Sequence, residues 1–174
     1  MTQVGIFIGS ISDKDTMLPC TEVLESLGIS FEFTVSSAHR TPERTDALIE
    51  DLEQRGCRVF ICAAGLAAHL AGHVASKTLK PVLGVPLDAS SFGGMDAMLS
   101  TVQMPPGYPV GTLAVGKVGA KNAAWLAAQI LALSDQEVSR KIAAARSDMQ
   151  AAVEDAAKDL ASSLSQGSLS REQS

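Results

Sequence analysis

The stretch Val4-Gly5-Ile6-Phe7-Ile8-Gly9-Ser10-Ile11-Ser12-Asp13 decides the fold class. Its apolar run, Val4 to Ile8, is continuous rather than alternating, which predicts a strand covered on both faces, and Gly9-Ser10 stops it. Asp13 then offers an N-cap for a helix running to about Gly28, in which Pro19 is expected to bend the helix or delay its start. A doubly buried strand feeding a helix is the repeating unit of a parallel α/β sheet.

The rest of the chain repeats this unit. Phe31 to Val35 predicts a second strand, followed by Ser36-Ser37-Ala38-His39-Arg40 and a helix opening at Thr41-Pro42-Glu43, where Thr suits the N-cap and Pro the first helical position. Arg58 to Ala63 predicts a third strand, His69 to Thr78 a helix of small residues, and Pro81 to Val85 a fourth strand. From Pro86 to Pro109 the pattern is irregular, with one helix expected over Met95 to Val102, and this long connection is a candidate for functional loop structure. Thr112 to Val115 predicts a fifth strand and Gly116 to Ala120 a turn into the next helix. The expected architecture is a three-layer α/β/α sandwich on a parallel sheet, in which ligands gather beyond the carboxyl ends of the strands.

The C-terminal part carries two apolar helices, the first with more apolar surface than one sheet face can cover. Asn122 to Leu133 is apolar on nearly every side, so a subunit interface is its expected second cover. The last helix, beginning near Asp135, has Ile142, Ala145, Met149, Val153, Ala156, Leu160 and Leu164 in one stripe that suits either its own sheet or a neighbouring subunit. Residues 1–164 are expected to form a single domain, and 165–174 a disordered polar tail.

Composition narrows the function. A chain of 174 residues is about one domain long, and with 46% apolar but only 4% aromatic residues its core must be built from Ala, Val, Leu and Ile. The net charge of −5 argues against a nucleic-acid surface. Cys20, Cys57 and Cys62 fit neither a disulfide framework nor a zinc cluster and read as reduced thiols. The Val4 to Ile8 run has no basic stretch before it and is too short for a signal sequence or membrane span, so the expected location is the cytoplasm.

Several strand-following segments carry chemistry. In Gly9 to Asp13, hydroxyls and helix-terminal amides suit a phosphate, and Asp13 suits ribose hydroxyls, although an ordinary capped turn reads the same way. In Ser37-Ala38-His39-Arg40, Arg40 can grip a phosphate bidentately with help from Ser37, while His39 is the side-chain type that moves protons near neutral pH. The alternative there is a surface His and Arg beside a helix cap. Ala63 to Gly72 has side chains small enough for a narrow dry space, or for close helix packing. His69 and His73 have a spacing that metal sites also use, but no third ligand lies nearby, so no metal is expected. The loop Ser100 to Gly107 has polar groups able to line a cleft.

Taken together, Gly9-Ser-Ile-Ser-Asp13, Ser37-Ala-His-Arg-Thr-Pro42, Ala64-Gly-Leu-Ala-Ala-His-Leu70, Pro81-Val-Leu-Gly-Val-Pro86, Val102-Gln-Met-Pro105 and Asn122 to Leu131 resemble the phosphoribosylaminoimidazole carboxylase catalytic subunit family of purine biosynthesis. The likeness runs from about Val4 to Leu133 and favours the branch that acts as an N5-carboxyaminoimidazole ribonucleotide mutase. It implies a flavodoxin-like sandwich assembled as an octamer, acting on a nucleotide without metal, ATP or biotin. By motif position it implies Ser10, Ser12 and Asp13 on the phosphoribosyl group, Ser37 and Arg40 on the phosphate, His39 beside the reacting ring carbon, and His69 in the base or carboxylate pocket. Ala38, Gly65, Ala67 and Leu70 complete the expected lining. The implied reaction shifts a carboxylate from the exocyclic nitrogen to the adjacent ring carbon through trapped carbon dioxide, with His39 as general acid and base.

The chain departs from the family at Leu66, where a glycine is expected, at Ala71, where proline is usual, and over Asp88 to Phe92. Leu66 is expected to narrow the pocket. Two other readings stay open at this point: direct carboxylation of aminoimidazole ribonucleotide by carbon dioxide, and a non-catalytic nucleotide- or flavin-binding module.

Overall fold

The computed structural model describes residues 2–169. Five strands, β1 (Val4–Ile8), β2 (Phe31–Val35), β3 (Val59–Ala64), β4 (Val82–Pro86) and β5 (Gly111–Thr112), form one sheet in the order β2-β1-β3-β4-β5. Every pairing is parallel. This is the flavodoxin-like doubly wound order, whose direction of winding reverses between β1 and β3.

Side chains alternate across the sheet into two cores. Val4, Ile6 and Ile8 of β1, with Val59, Ile61 and Ala63 of β3, meet α1 (Lys14–Ser26), α5 (Gly116–Ala132) and the first turns of α6 (Gln136–Leu169). Phe7, Phe60 and Cys62 point the other way, onto α2 (Pro42–Gln54) and α3 (Leu70–Ala75). α4 (Met95–Val102) sits beside α3, where a Cβ on Gly84 of β4 would fall 2.4 Å from Thr101 Cγ2. Ala120, Ala123, Ala124, Ala127 and Ala128 of α5 are wholly buried, and their small size lets α5 pack close to α1. The three cysteines are free and buried, and burial pushes the Cys20 thiol up to about 12, so it stays an inert core thiol.

Several boundaries differ from those expected. A 3₁₀ turn, Ile11–Asp13, with Ser10 as its N-cap precedes α1; Asp13 holds the N-cap position of α1 as expected, but its side chain does not cap the α1 amides. Asp13 instead closes a capping box by accepting from the Ser10 backbone N–H at 3.1 Å. α1 runs through Pro19 without a delayed start. α3 covers only Leu70–Ala75, and β5 is two residues long because the chain turns out of the sheet before Val115, which serves as the extended N-cap of α5. At the far end α6 continues to Leu169, so 165–169, expected within a disordered tail, are helical. The remainder of that tail, 170–174, lies outside the described residues. Among the described residues no helix is long and apolar enough to cross a membrane.

One polar bridge ties the helices of the second core together. Asp46 on α2 accepts from Lys77 Nζ at 2.8 Å and pairs with His73 Nε2 at 2.8 Å. The hydrogen bond from Lys77, aided by His73, holds the Asp46 carboxyl below its ordinary range. A carboxylate with a lowered folded-state pKa stabilises the fold above the ordinary carboxylate range, and the effect disappears as pH falls through the folded value. Asp46→Asn is therefore expected to cost about 0.2–1 kcal/mol at neutral pH, the range for solvent-screened pairs. Chemical denaturation of parent and variant at neutral and acid pH checks this, and the gap between them should close on acidification.

Candidate active site

A cleft of about 530 Å³ opens where the loops after β1, β2 and β3 converge, beside the point where the winding reverses. It is lined by all eleven residues expected in the site: Ser10, Ser12, Asp13, Ser37, Ala38, His39, Arg40, Gly65, Ala67, His69 and Leu70. Gly9, Ala64, Leu66 and Ala89 complete the wall.

The loop after β1 is held by the capping box. Ser12 Oγ reaches Ser10 Oγ at 3.0 Å and Asp13 Oδ1 at 3.4 Å. Burial pushes the Asp13 carboxyl up, while the Ser10 N–H, the Ser12 hydroxyl and the Arg40 charge oppose that rise. The carboxylate is thus partly desolvated yet supplied with donors, as an acceptor for ligand hydroxyls should be.

The loop after β2 is pinned to its helix. Thr41 Oγ1 accepts from the Ser37 N–H at 3.0 Å and donates to the Ser37 carbonyl at 3.2 Å, closing the turn that carries Ala38, His39 and Arg40. Thr41 caps α2 by position, but its hydroxyl serves this turn rather than the helix amides. Beneath it, Ser36 Oγ and Thr45 Oγ1, both buried, lie 2.7 Å apart, and Thr45 Oγ1 donates to the Thr41 carbonyl at 3.1 Å. With Thr45 donating there, Ser36 is the donor of the pair. Arg40 Nη2 reaches across to the Gly9 carbonyl at 2.8 Å, and its Nε lies 3.5 Å from Ser37 Oγ. The guanidinium thus joins the first two loops.

The loop after β3 contributes His69, whose Nδ1 lies 2.8 Å from His39 Nε2 with the rings edge to face. A contact this short requires one of the two nitrogens to be unprotonated, so the pair holds a single hydrogen between its rings. Residues 30 apart in sequence are brought together because β2 and β3 flank β1. The spacing of His69 and His73 had a metal-ligand reading, yet the two side chains part company: His69 turns to His39 and His73 to Asp46.

Leu66 has φ +56°, and it is the only described non-glycine residue with positive φ. This explains why glycine suits the position. An L-residue there pays about 1–2 kcal/mol, partly offset by the roughly 0.5–1 kcal/mol of extra chain entropy that glycine would lose. Leu66→Gly is thus expected to leave stability unchanged or raise it by up to about 1.5 kcal/mol, which thermal melting would show. Gly65 is constrained for another reason: a Cβ there would fall 2.5 Å from Ala89 Cβ. Ala89 is the wall residue that sequence reasoning missed, since it lies in the irregular connection and has no chemistry of its own. The polar loop from Ser100 to Gly107 does not reach this cleft; its Met104 packs against Gly72 and the second core.

Comparisons with known proteins show the family and the fold. An N5-carboxyaminoimidazole ribonucleotide mutase of Escherichia coli strain K12 is 50% identical over 140 residues, covering 80% of this chain and 83% of that one. The protein of the same name from Pyrococcus horikoshii is 46% identical over 157 residues, 90% of this chain and 88% of its own. The crystal structure of Treponema denticola PurE superposes with a TM-score of 0.79 at 29% identity, covering 91% of this chain and 98% of that one. Residues 3–152 match the AIR carboxylase family, spanning both cores and every wall of the cleft, and the chain belongs to that family.

Proposed function

We propose that the protein interconverts N5-carboxyaminoimidazole ribonucleotide and 4-carboxy-5-aminoimidazole ribonucleotide in purine biosynthesis. The observation that carries this reading is the cleft itself, which puts one anion-gripping arginine, a hydroxyl-rich loop and a hydrogen-bonded histidine pair within the reach of a single nucleotide. Relatives bearing the mutase name at about half identity support it.

In this reading Arg40 and Ser37 hold the phosphate, Ser10, Ser12 and Asp13 hold the phosphoribosyl group, and Ala38, Gly65, Ala67 and Leu70 enclose the base. His39 donates a proton to the exocyclic nitrogen as the N–C bond of the carbamate breaks, and the electron pair of that bond stays on nitrogen. Carbon dioxide is released inside the cleft. The electron-rich ring carbon attacks it, and the proton displaced from that carbon returns to His39. The imidazole ends as it began, with His69 as its hydrogen-bond partner throughout. Holding the gas against the ring replaces a dilute solute by an effective concentration that reaches on the order of 10⁵ M in well-oriented systems. The test is an assay offering each nucleotide separately. Turnover of the N5-carboxy nucleotide without added bicarbonate supports the mutase, whereas turnover only of the uncarboxylated nucleotide with bicarbonate supports direct carboxylation.

The same reading places the protein in the cytoplasm as a homo-oligomer, the octamer that the family resemblance implies. Its support is exposed apolar surface: Met149, Val153, Leu160 and Leu164 are exposed along α6, and Met149 lines a groove together with Trp125, Leu126, Leu113 and Arg146. An apolar stripe without cover in one chain fits burial by a neighbour. Val153→Glu combined with Leu160→Glu is expected to reduce the assembled mass in sedimentation, and an unchanged mass would count against this use of α6.

A further inference from the structure

Leu66 combines features that ordinary packing does not account for. Its backbone is in the left-handed region at φ +56°, the residue is 56% exposed, and it belongs to neither hydrophobic core. A leucine in that conformation normally returns the strain through burial. Here Leu66 is one of the residues that line the cleft, three positions before His69 on the same loop. The preceding Gly65 lies close to Ala89 and the Leu87 carbonyl, where a Cβ would fall 2.5 and 3.3 Å away.

We propose that Leu66 is a retention residue: its apolar side chain shields the reacting end of the cleft, so that carbon dioxide recombines with the ring before it escapes. The proposal rests on the mutase reading above. Carbon dioxide is small, uncharged and without hydrogen-bond donors, so the protein groups that can hold it are dispersion contacts and the exclusion of water. Once the N–C bond has broken, the gas either forms the new C–C bond, with the ring proton passing to His39, or diffuses out and leaves aminoimidazole ribonucleotide behind. A leucine lining the cleft slows the second route without touching the first. It therefore sets the ratio of product to escape, not the proton chemistry.

The experiment uses the full chain and its Leu66→Gly and Leu66→Met variants, supplied with N5-carboxyaminoimidazole ribonucleotide labelled in the carboxylate. It reads the share of consumed nucleotide that appears as unlabelled aminoimidazole ribonucleotide, corrected for spontaneous loss, together with the thermal midpoint. We expect Leu66→Gly to raise the escaping share by about tenfold relative to productive transfer, with an unchanged or higher midpoint, and Leu66→Met to keep the parent ratio. A parent ratio in Leu66→Gly, or an equal rise in both variants, would overturn the proposal. If the parent itself fails to turn the nucleotide over, it is the mutase reading that fails.

Discussion

The His39→Asn variant is expected to bind the nucleotide as the parent does and to lose about 10²–10⁴-fold in kcat, the usual worth of a positioned acid–base group. Asparagine keeps a polar group of similar reach at the end of the turn that Thr41 closes, so the loop and the Arg40 contact to Gly9 should persist. What it cannot do is accept and return a proton near neutral pH. The loss should thus fall in kcat and in kcat/KM alike, the signature of an interaction made in the transition state. Steady-state kinetics with a parallel equilibrium titration of nucleotide separates the two quantities. Parent-like turnover in this variant would remove His39 from the mechanism.

The Arg40→Lys variant should show the opposite division. Arg40 already uses Nη2 on the Gly9 carbonyl and faces Ser37 with Nε, leaving the other donors of its planar fork for a phosphate. A lysine retains the charge but cannot bridge both loops and bind two phosphate oxygens at once. Losing one charge-assisted hydrogen bond, about 1.5–3 kcal/mol, corresponds to a rise in KM of roughly 10–10². The phosphate does not react, so kcat should change less. A KM equal to that of the parent would place the phosphate elsewhere in the cleft.

These predictions rest on parts of the molecule that were unequally legible. β1 and β2 both have the bounds predicted for them, although only β1 is buried on both faces; β2 is the half-buried edge strand, legible from Phe31, Phe33 and Val35 alternating with polar residues. The site loops were legible too, since each follows a strand and the sheet gathers strand ends on one side. Local competition was harder to read. Asp13 stands at the N-cap of α1 as its residue type suggested, but only the structure shows that a 3₁₀ turn capped by Ser10 precedes it and that the Asp13 carboxylate reaches back to the Ser10 N–H. Thr112 to Val115 has the composition of a strand, yet pairing with β4 ends with the Leu113 N–H bond to the Gly84 carbonyl, and α5 opens at Gly116 with φ +72°.

Contacts between distant segments were legible only through the family resemblance or not at all. The resemblance put His39 and His69 in one pocket, but nothing in the chain foretold that their rings meet at 2.8 Å. The partnership of His73 with Asp46 crosses 27 positions, and it gives a structural use to a histidine whose spacing had suggested a ligand. Ala89 had no signal because its contribution is only bulk beside Gly65. Leu66 was visible as a departure from the family, whereas its positive φ, which explains the usual glycine, needed the backbone.

The central claim is that one nucleotide lies across this cleft with its phosphate at Arg40 and its reacting carbon at the histidine pair. A crystal structure with 4-carboxy-5-aminoimidazole ribonucleotide bound tests it most directly. The account predicts the phosphate on Arg40 and Ser37, and a His39 ring nitrogen close enough to the carboxylated carbon or its neighbouring amine for proton transfer, about 2.6–3.2 Å or one water away. A nucleotide bound with its base turned away from both His39 and His69 would contradict it.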